Sequence, residues 1–204
     1  MAVAGLMTLA GCGFLLGTEA LTFSASKATV SDAALEETGY EETNVTEKNV
    51  SKEFTVAGQT REVVVTNWLA KYEHQVGLEG LGEKRAAVFV AFSSPQIEVA
   101  GKSFNPLSGM SEKEILSRFE TSYEGVSVDQ QTGSRNVSVL GSERAVKRFA
   151  GTATLAGQEV DVVIHASKFK HGEDYIGVVA IYPERLTGED DRVVTLLRGL
   201  EHRS

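Results

Sequence analysis

The chain has 204 residues, 42% of them hydrophobic, which is enough apolar material for a real core in one domain. Acidic residues number 28 against 20 basic, a net charge of −8, and this balance argues against nucleic acid, which requires a clustered basic face. A single cysteine excludes any intramolecular disulfide, so the fold must rest on its core.

Met1 to Gly11 carries no charge, and Leu9-Ala10-Gly11 leads directly into Cys12. Small residues before a cleavage point let an extended chain enter a peptidase groove, and an apolar stretch upstream supplies membrane affinity. The thiol that follows is the acceptor that lipid attachment needs. This pattern resembles the lipobox of bacterial and archaeal lipoproteins, which implies cleavage before Cys12 and a lipid on its sulfur. No Lys or Arg precedes Lys27, so the positive n-region is missing and the true start is expected upstream. A membrane-spanning helix needs about 20 mostly apolar residues, and the glycine-containing run from Met1 to Thr18 falls short of one. One acyl chain holds only marginally, so two chains on Cys12 are expected. The alternative is a buried helix over Met1 to Leu16 with an ordinary core cysteine. The lipobox reading divides the chain into a signal segment at 1–11, a lipid-anchored tether at 12–30 and a single globular domain at 31–204.

Ser31 to Gly39 is a helix candidate, with Ser31 as cap and Gly39 as stop. Glu36, Glu37, Glu41, Glu42 and Glu47 concentrate acid here and read as a solvated face. No Asp-x-Asp-x-Asp-Gly loop accompanies them, so calcium is not implied. Tyr40 to Val56 and Arg61 to Val76 alternate around the turn Ala57-Gly58-Gln59-Thr60 and predict a hairpin. Gly77, Gly80 and Gly82 mark a loop. Ala86 to Phe92 is apolar on both faces, the signature of an inner strand.

Ser94 to Gly109 reads as irregular, with two prolines and two glycines. Ser111 and Glu114 form a capping box that opens a helix running to Tyr123, with Ile115, Leu116 and Phe119 on its apolar face. Val126–Asp129 and Val137–Leu140 are short strands. Glu143 to Leu155 and Gln158 to Lys168 predict a second hairpin across Ala156-Gly157. Tyr175 to Tyr182 is a nearly continuous apolar strand, ended by Pro183. Thr187 and Asp190 are expected to cap a last helix whose stripe is Val193, Val194, Leu197 and Leu200.

Grouped strands separated by helices argue for antiparallel meanders rather than alternating βαβ units. The expected class is α+β, a broad antiparallel sheet with packed helices, with an extra helix and hairpin at the N-terminal end. The segment from Ser111 to Leu200 resembles the PsbP-like α/β/α sandwich, through its capped helix, the hairpin across Ala156-Gly157, the strand ending at Pro183 and the Leu197 helix. That resemblance implies a noncatalytic accessory or binding protein. Leu9 to Cys12, the Glu-rich stretch and the hairpin through Arg61, Trp68 and Tyr72 are together similar to a haloarchaeal lipoprotein family of unknown function. This second resemblance implies a location and no chemistry.

No strong catalytic motif stands out. His74, His165, His171 and His202 show no zinc-helix spacing, and the sole cysteine is assigned to lipid, so neither a metal nor any other cofactor is implied. Gly-x-Ser-x-Gly is absent, and Gly77-x-x-Gly80-x-Gly82 does not lead into a capped helix. Asp161 and His165 share a strand face and form the one candidate acid/base pair, the basis of an alternative hydrolase reading. Arg144, Lys147 and Arg148, with Lys168 and Lys170 across the hairpin, are a basic cluster that either balances nearby acids or holds an anion. Asn44-Val45-Thr46, Asn49-Val50-Ser51 and Asn136-Val137-Ser138 match the N-glycosylation acceptor pattern. The expected function is that of a noncatalytic domain on the extracytoplasmic face of the cell membrane. Its partners would be the membrane, through the lipid on Cys12, and an unknown small ligand or envelope protein. A purely structural envelope component is the remaining alternative.

Overall fold

Two long hairpins and a buried central strand build one eight-stranded sheet in the computed structural model, which describes residues 20–56, 59–78, 82–99, 102–103, 105, 107, 109–122, 125–155 and 157–203. The elements run β1 (Leu21–Ser24), β2 (Ala28–Val30), α1 (Asp32–Thr38), β3 (Glu41–Val56), β4 (Gln59–Leu78), β5 (Gly82–Pro95), β6 (Glu98–Val99) and β7 (Lys102–Ser103). They continue with α2 (Glu112–Ser122), β8 (Val126–Val139), β9 (Ser142–Leu155), β10 (Gln158–His171), β11 (Asp174–Pro183), α3 (Glu189–Arg198) and β12 (Leu200–His202).

Strand β11 is the centre. Every one of its residues is buried, because β10 and β5 pair antiparallel with its two edges and a core forms on each face. Val178, Ala180 and Tyr182 pack with Val193, Leu196 and Leu197 of α3. Val179 and Ile181 share the opposite core with Leu116 of α2. Removing a large apolar side chain of this kind from water contributes about 1.5–3 kcal/mol, so the unbroken apolar run is itself the stabilising feature.

Both predicted hairpins form. Strand β3 pairs with β4 from Glu41↔Glu73 to Val56↔Gln59, and β9 pairs with β10 from Gln158↔Leu155 to Ala166↔Lys147. Helix α1 is capped by the Ser31 hydroxyl, which accepts from the Ala34 N–H, and closes at Gly39 in the left-handed region (φ 71°). The capping box on α2 is reciprocal, with the Ser111 N–H donating to Glu114 Oε2 (2.6 Å) and the Glu114 N–H to Ser111 Oγ (3.3 Å).

The expected α+β class is corrected. The chain is mostly β, and among the described residues its three helices have only 7, 11 and 10 residues. They are too short to pack as layers over a sheet whose strands reach 20 residues. Nor is the sheet purely antiparallel. One edge of β4 carries β3, and the other is shared by β5 and by β1, which runs parallel to it from Leu21↔Val63 to Ser24↔Thr66. Leu21 to Val30, within the stretch read as tether, therefore holds strand. The predicted short strands at 126–129 and 137–140 belong to one strand, β8, paired to β9 along its length with irregularities between Val128, Gln131 and Gly133. Its polar middle lacks apolar alternation because β8 is an edge, where bulges and polar side chains discourage further pairing.

Candidate functional site

A cleft of about 480 Å³ opens on the α3 face of the sheet. Period-2 geometry explains which side chains reach it. On β10, Val163 and His165 point to this face, and His165 stands opposite Arg148 of β9 and Ala180 of β11. Tyr182, next on the same face of β11, lies under the turn that follows Pro183. Gly188 adopts φ 83°, which turns the chain back into α3, and the first turn of that helix then carries Asp190 over the sheet. Arg135 arrives from the edge strand β8.

These four side chains form one network. The Tyr182 hydroxyl donates to Asp190 Oδ1 (3.1 Å). With its hydrogen so committed, the phenol oxygen can only accept from His165 Nε2, at 3.1 Å. That nitrogen also lies 3.1 Å from Asp190 Oδ1. Arg135 clamps the same carboxylate, with Nη1 2.6 Å from Oδ2 and Nη2 donating to the Asp190 carbonyl at 3.2 Å. The tautomer follows: Nε2 carries the hydrogen, and Nδ1 is a bare acceptor. It is buried and has no hydrogen-bond partner, and the same is true of Arg135 Nε.

Electrostatics keep the imidazole neutral. Burial pushes the His165 pKa down to about 4, and Arg135 and Arg148 add to this against the opposing pull of Asp190. Burial would raise the Asp190 carboxyl, but the Arg135 guanidinium outweighs it and holds the group below its usual range. The Tyr182 phenol is raised, first by burial and then by Asp190, and stays protonated. At neutral pH the site thus presents a neutral imidazole, a phenol and a closed Arg–Asp pair.

Comparison with known proteins bears on the family. Residues 27–201 match the model described as "Domain of unknown function (DUF6517)". The chain belongs to the DUF6517 family. A distant structural similarity links it to cyanobacterial PsbP (CyanoP) from Synechocystis sp. PCC 6803, a solution structure, with TM-score 0.35 and 11% identity over 96% of this chain and 99% of that one. None of the curated proteins matches it.

In this DUF6517 chain the expected Asp161–His165 pair is not assembled. Asp161 is exposed, pairs with Thr152, and borders a separate cleft with Glu159 and Arg185. The carboxylate that reaches His165 is Asp190. Read from the sequence as a helix cap, Asp190 does no capping: Gly188 is the N-cap, with no side-chain bond to the helix. Its carboxylate is already held by Arg135 and Tyr182.

The basic cluster is split by the sheet. Arg144 donates to the Lys170 carbonyl (3.2 Å) and lies 4.7 Å over the Phe169 ring. Lys147 points to the other face and pairs with Glu112 of α2 at 2.7 Å, while Lys168 is tied to the carbonyls of Leu107 and Met110. Only Arg148 enters the cleft, donating to Thr132 Oγ1 (3.2 Å).

The other histidines of the DUF6517 chain are fastened too. His74 Nδ1 lies 2.9 Å from Glu189 Oε1, a buried carboxylate that also accepts from the Tyr40 hydroxyl (3.0 Å) and Arg192 (2.8 Å). His202 Nε2 donates to Asp174 Oδ2 at 2.9 Å, and its Nδ1 is hydrogen-bonded to His171 Nδ1, 2.8 Å away. The Ser26 N–H donates to that same Asp174 oxygen (2.8 Å). This cluster clips both ends of the domain to the β10–β11 turn. Among the described residues, no group of three or more His, Cys, Asp or Glu is arranged to hold a metal ion.

Asn44, Asn49 and Asn136 are exposed and lie within strands β3 and β8. Asn49 donates to Glu47 and accepts from Thr66. The Glu-rich stretch is dispersed, with Glu36 and Glu37 exposed on α1 and Glu41, Glu42 and Glu47 exposed on β3. Cys12 and the Leu9-Ala10-Gly11 run before it lie outside the described residues. Among the described residues, no helix is long and apolar enough to cross a membrane.

Proposed function

We propose that this protein is a noncatalytic domain, held at the extracytoplasmic face of the cell membrane by lipid on Cys12, that binds a small polar ligand in the cleft beside His165. The observation that carries the binding half is that histidine itself: it lines the cleft and is buried, neutral, held at Nε2 and without a partner at Nδ1. A proton-transfer residue works best with a pKa near the operating pH. A group near 4 whose partner carboxylate is already paired suits recognition better than acid/base work. The location half, with membership of a haloarchaeal lipoprotein family, rests on Leu9-Ala10-Gly11-Cys12 and on the acidic balance of the chain.

Two measurements test it. Mass spectrometry of protein extracted from membranes should find Cys12 at the mature N-terminus with two lipid chains, and Cys12→Ala should release the protein. An unmodified thiol on an intact chain would refute the anchor. A hydrolase screen of the Cys12→Ala chain should detect no turnover, and activity abolished by His165→Ala would refute the noncatalytic reading.

A further inference from the structure

Four charged side chains line the cleft: Arg135, Arg148, Glu184 and Asp190. Two of them cancel, since Arg135 and Asp190 form a closed pair at 2.6 Å. Arg148 spends one N–H on a neutral threonine hydroxyl. Glu184, in the turn after β11, is exposed, and among the described residues neither it nor Arg148 has an ion-pair partner. The cleft therefore carries one unmatched cation and one unmatched anion.

An anion alone would satisfy Arg148 and face Glu184 unfavourably; a cation alone would do the reverse. A neutral polyol would leave both charges unmatched.

We propose that the cleft binds a small zwitterion of the free amino acid class. Its carboxylate is taken by the Arg148 guanidinium, and its protonated amine donates to Glu184. This rests on the reading of the cleft as a ligand site and adds the class of ligand.

The test is titration calorimetry on the full chain with each of the twenty standard L-amino acids, and with glycine betaine, L-lactate and inorganic phosphate for comparison. Betaine keeps both charges of glycine but has no N–H to donate, and lactate lacks the amine. The expected result is binding of at least one amino acid, with betaine and lactate at least tenfold weaker. Glu184→Gln and Arg148→Gln should each weaken that binding tenfold or more. Glu184 is exposed, so its variant keeps the test valid should Arg148→Gln lower the melting temperature. Binding of lactate or phosphate that is lost in Arg148→Gln but survives Glu184→Gln would overturn the zwitterion while leaving the cleft a ligand site. Amino acid binding indifferent to both variants, or no binding by any of these probes, would overturn the zwitterion and the ligand-site reading together.

Discussion

His165 Nε2 lies 3.1 Å from Asp190 Oδ1, joining the sheet's inner strand β10 to the first turn of α3. The imidazole is buried and the carboxylate half-exposed. Folding therefore takes a group that titrates near 6.5 in an open chain and holds it neutral down to about 4.

Acid should weaken the fold through this residue. Between about pH 6.5 and 4 the unfolded chain binds a proton that the folded chain does not, so stability falls as pH drops through that window. The shift corresponds to roughly 3 kcal/mol once titration is complete. His171, whose pKa burial and His202 push down, acts in the same direction. Urea denaturation at pH 7 and pH 4 should show the loss, and His165→Gln should recover part of it. A flat profile across the window would contradict a neutral, buried His165.

Glu189 anchors α3 to the rest of the fold. It is 1% exposed and accepts from Tyr40, His74 and Arg192. Glu189→Ala strands the Tyr40 hydroxyl and the His74 N–H in the interior and should cost about 3 kcal/mol. Chemical denaturation measures the cost, and a change below a few tenths of a kcal/mol would show that the network contributes nothing net.

Asp174 holds the N-terminal strands. In Asp174→Ala the Ser26 N–H and His202 Nε2–H both lose their acceptor. Hydrogen exchange at Ser26 and its neighbours in β1 and β2 should accelerate roughly tenfold, since a bond to a charged acceptor contributes about 1.5–3 kcal/mol. Amides in β9 should be unchanged.

Gly151 has no room for a side chain. A Cβ there would lie 2.3 Å from the Ser127 carbonyl oxygen of β8 and 2.9 Å from Ile164 Cδ1. The obstacle is backbone, so β8 must move off β9. Gly151→Ala should destabilise by about 2 kcal/mol, read as a fall in melting temperature.

The hairpins, the two capped helices and the inner strand at Tyr175–Tyr182 were legible in the sequence, because their signals lie within a few residues of one another. Alternation, a capping serine and a glycine turn act locally and are read locally. The same logic failed for β8, whose polar middle stays extended only because β9 pairs with it, and for β1, whose place depends on an edge of β4 left open by β5. His165 could be singled out by its strand face, but its partner could not. Asp161 shares that face in the sequence, yet Asp190 reaches the imidazole because the turn at Gly188 folds α3 back over the sheet.

Order along the chain thus established the two hairpins, the first two capped helices and the inner strand, along with the acidic balance and the lone thiol after a run of small residues. Folding alone decided that the chain is mostly β and that the sheet is mixed. It also decided that Arg135, His165, Tyr182 and Asp190 meet in one cleft. The physical reason is range. Backbone propensity and capping are short-range effects, whereas burial, charge pairing and the tautomer of a histidine depend on side chains that become neighbours only when distant strands have paired.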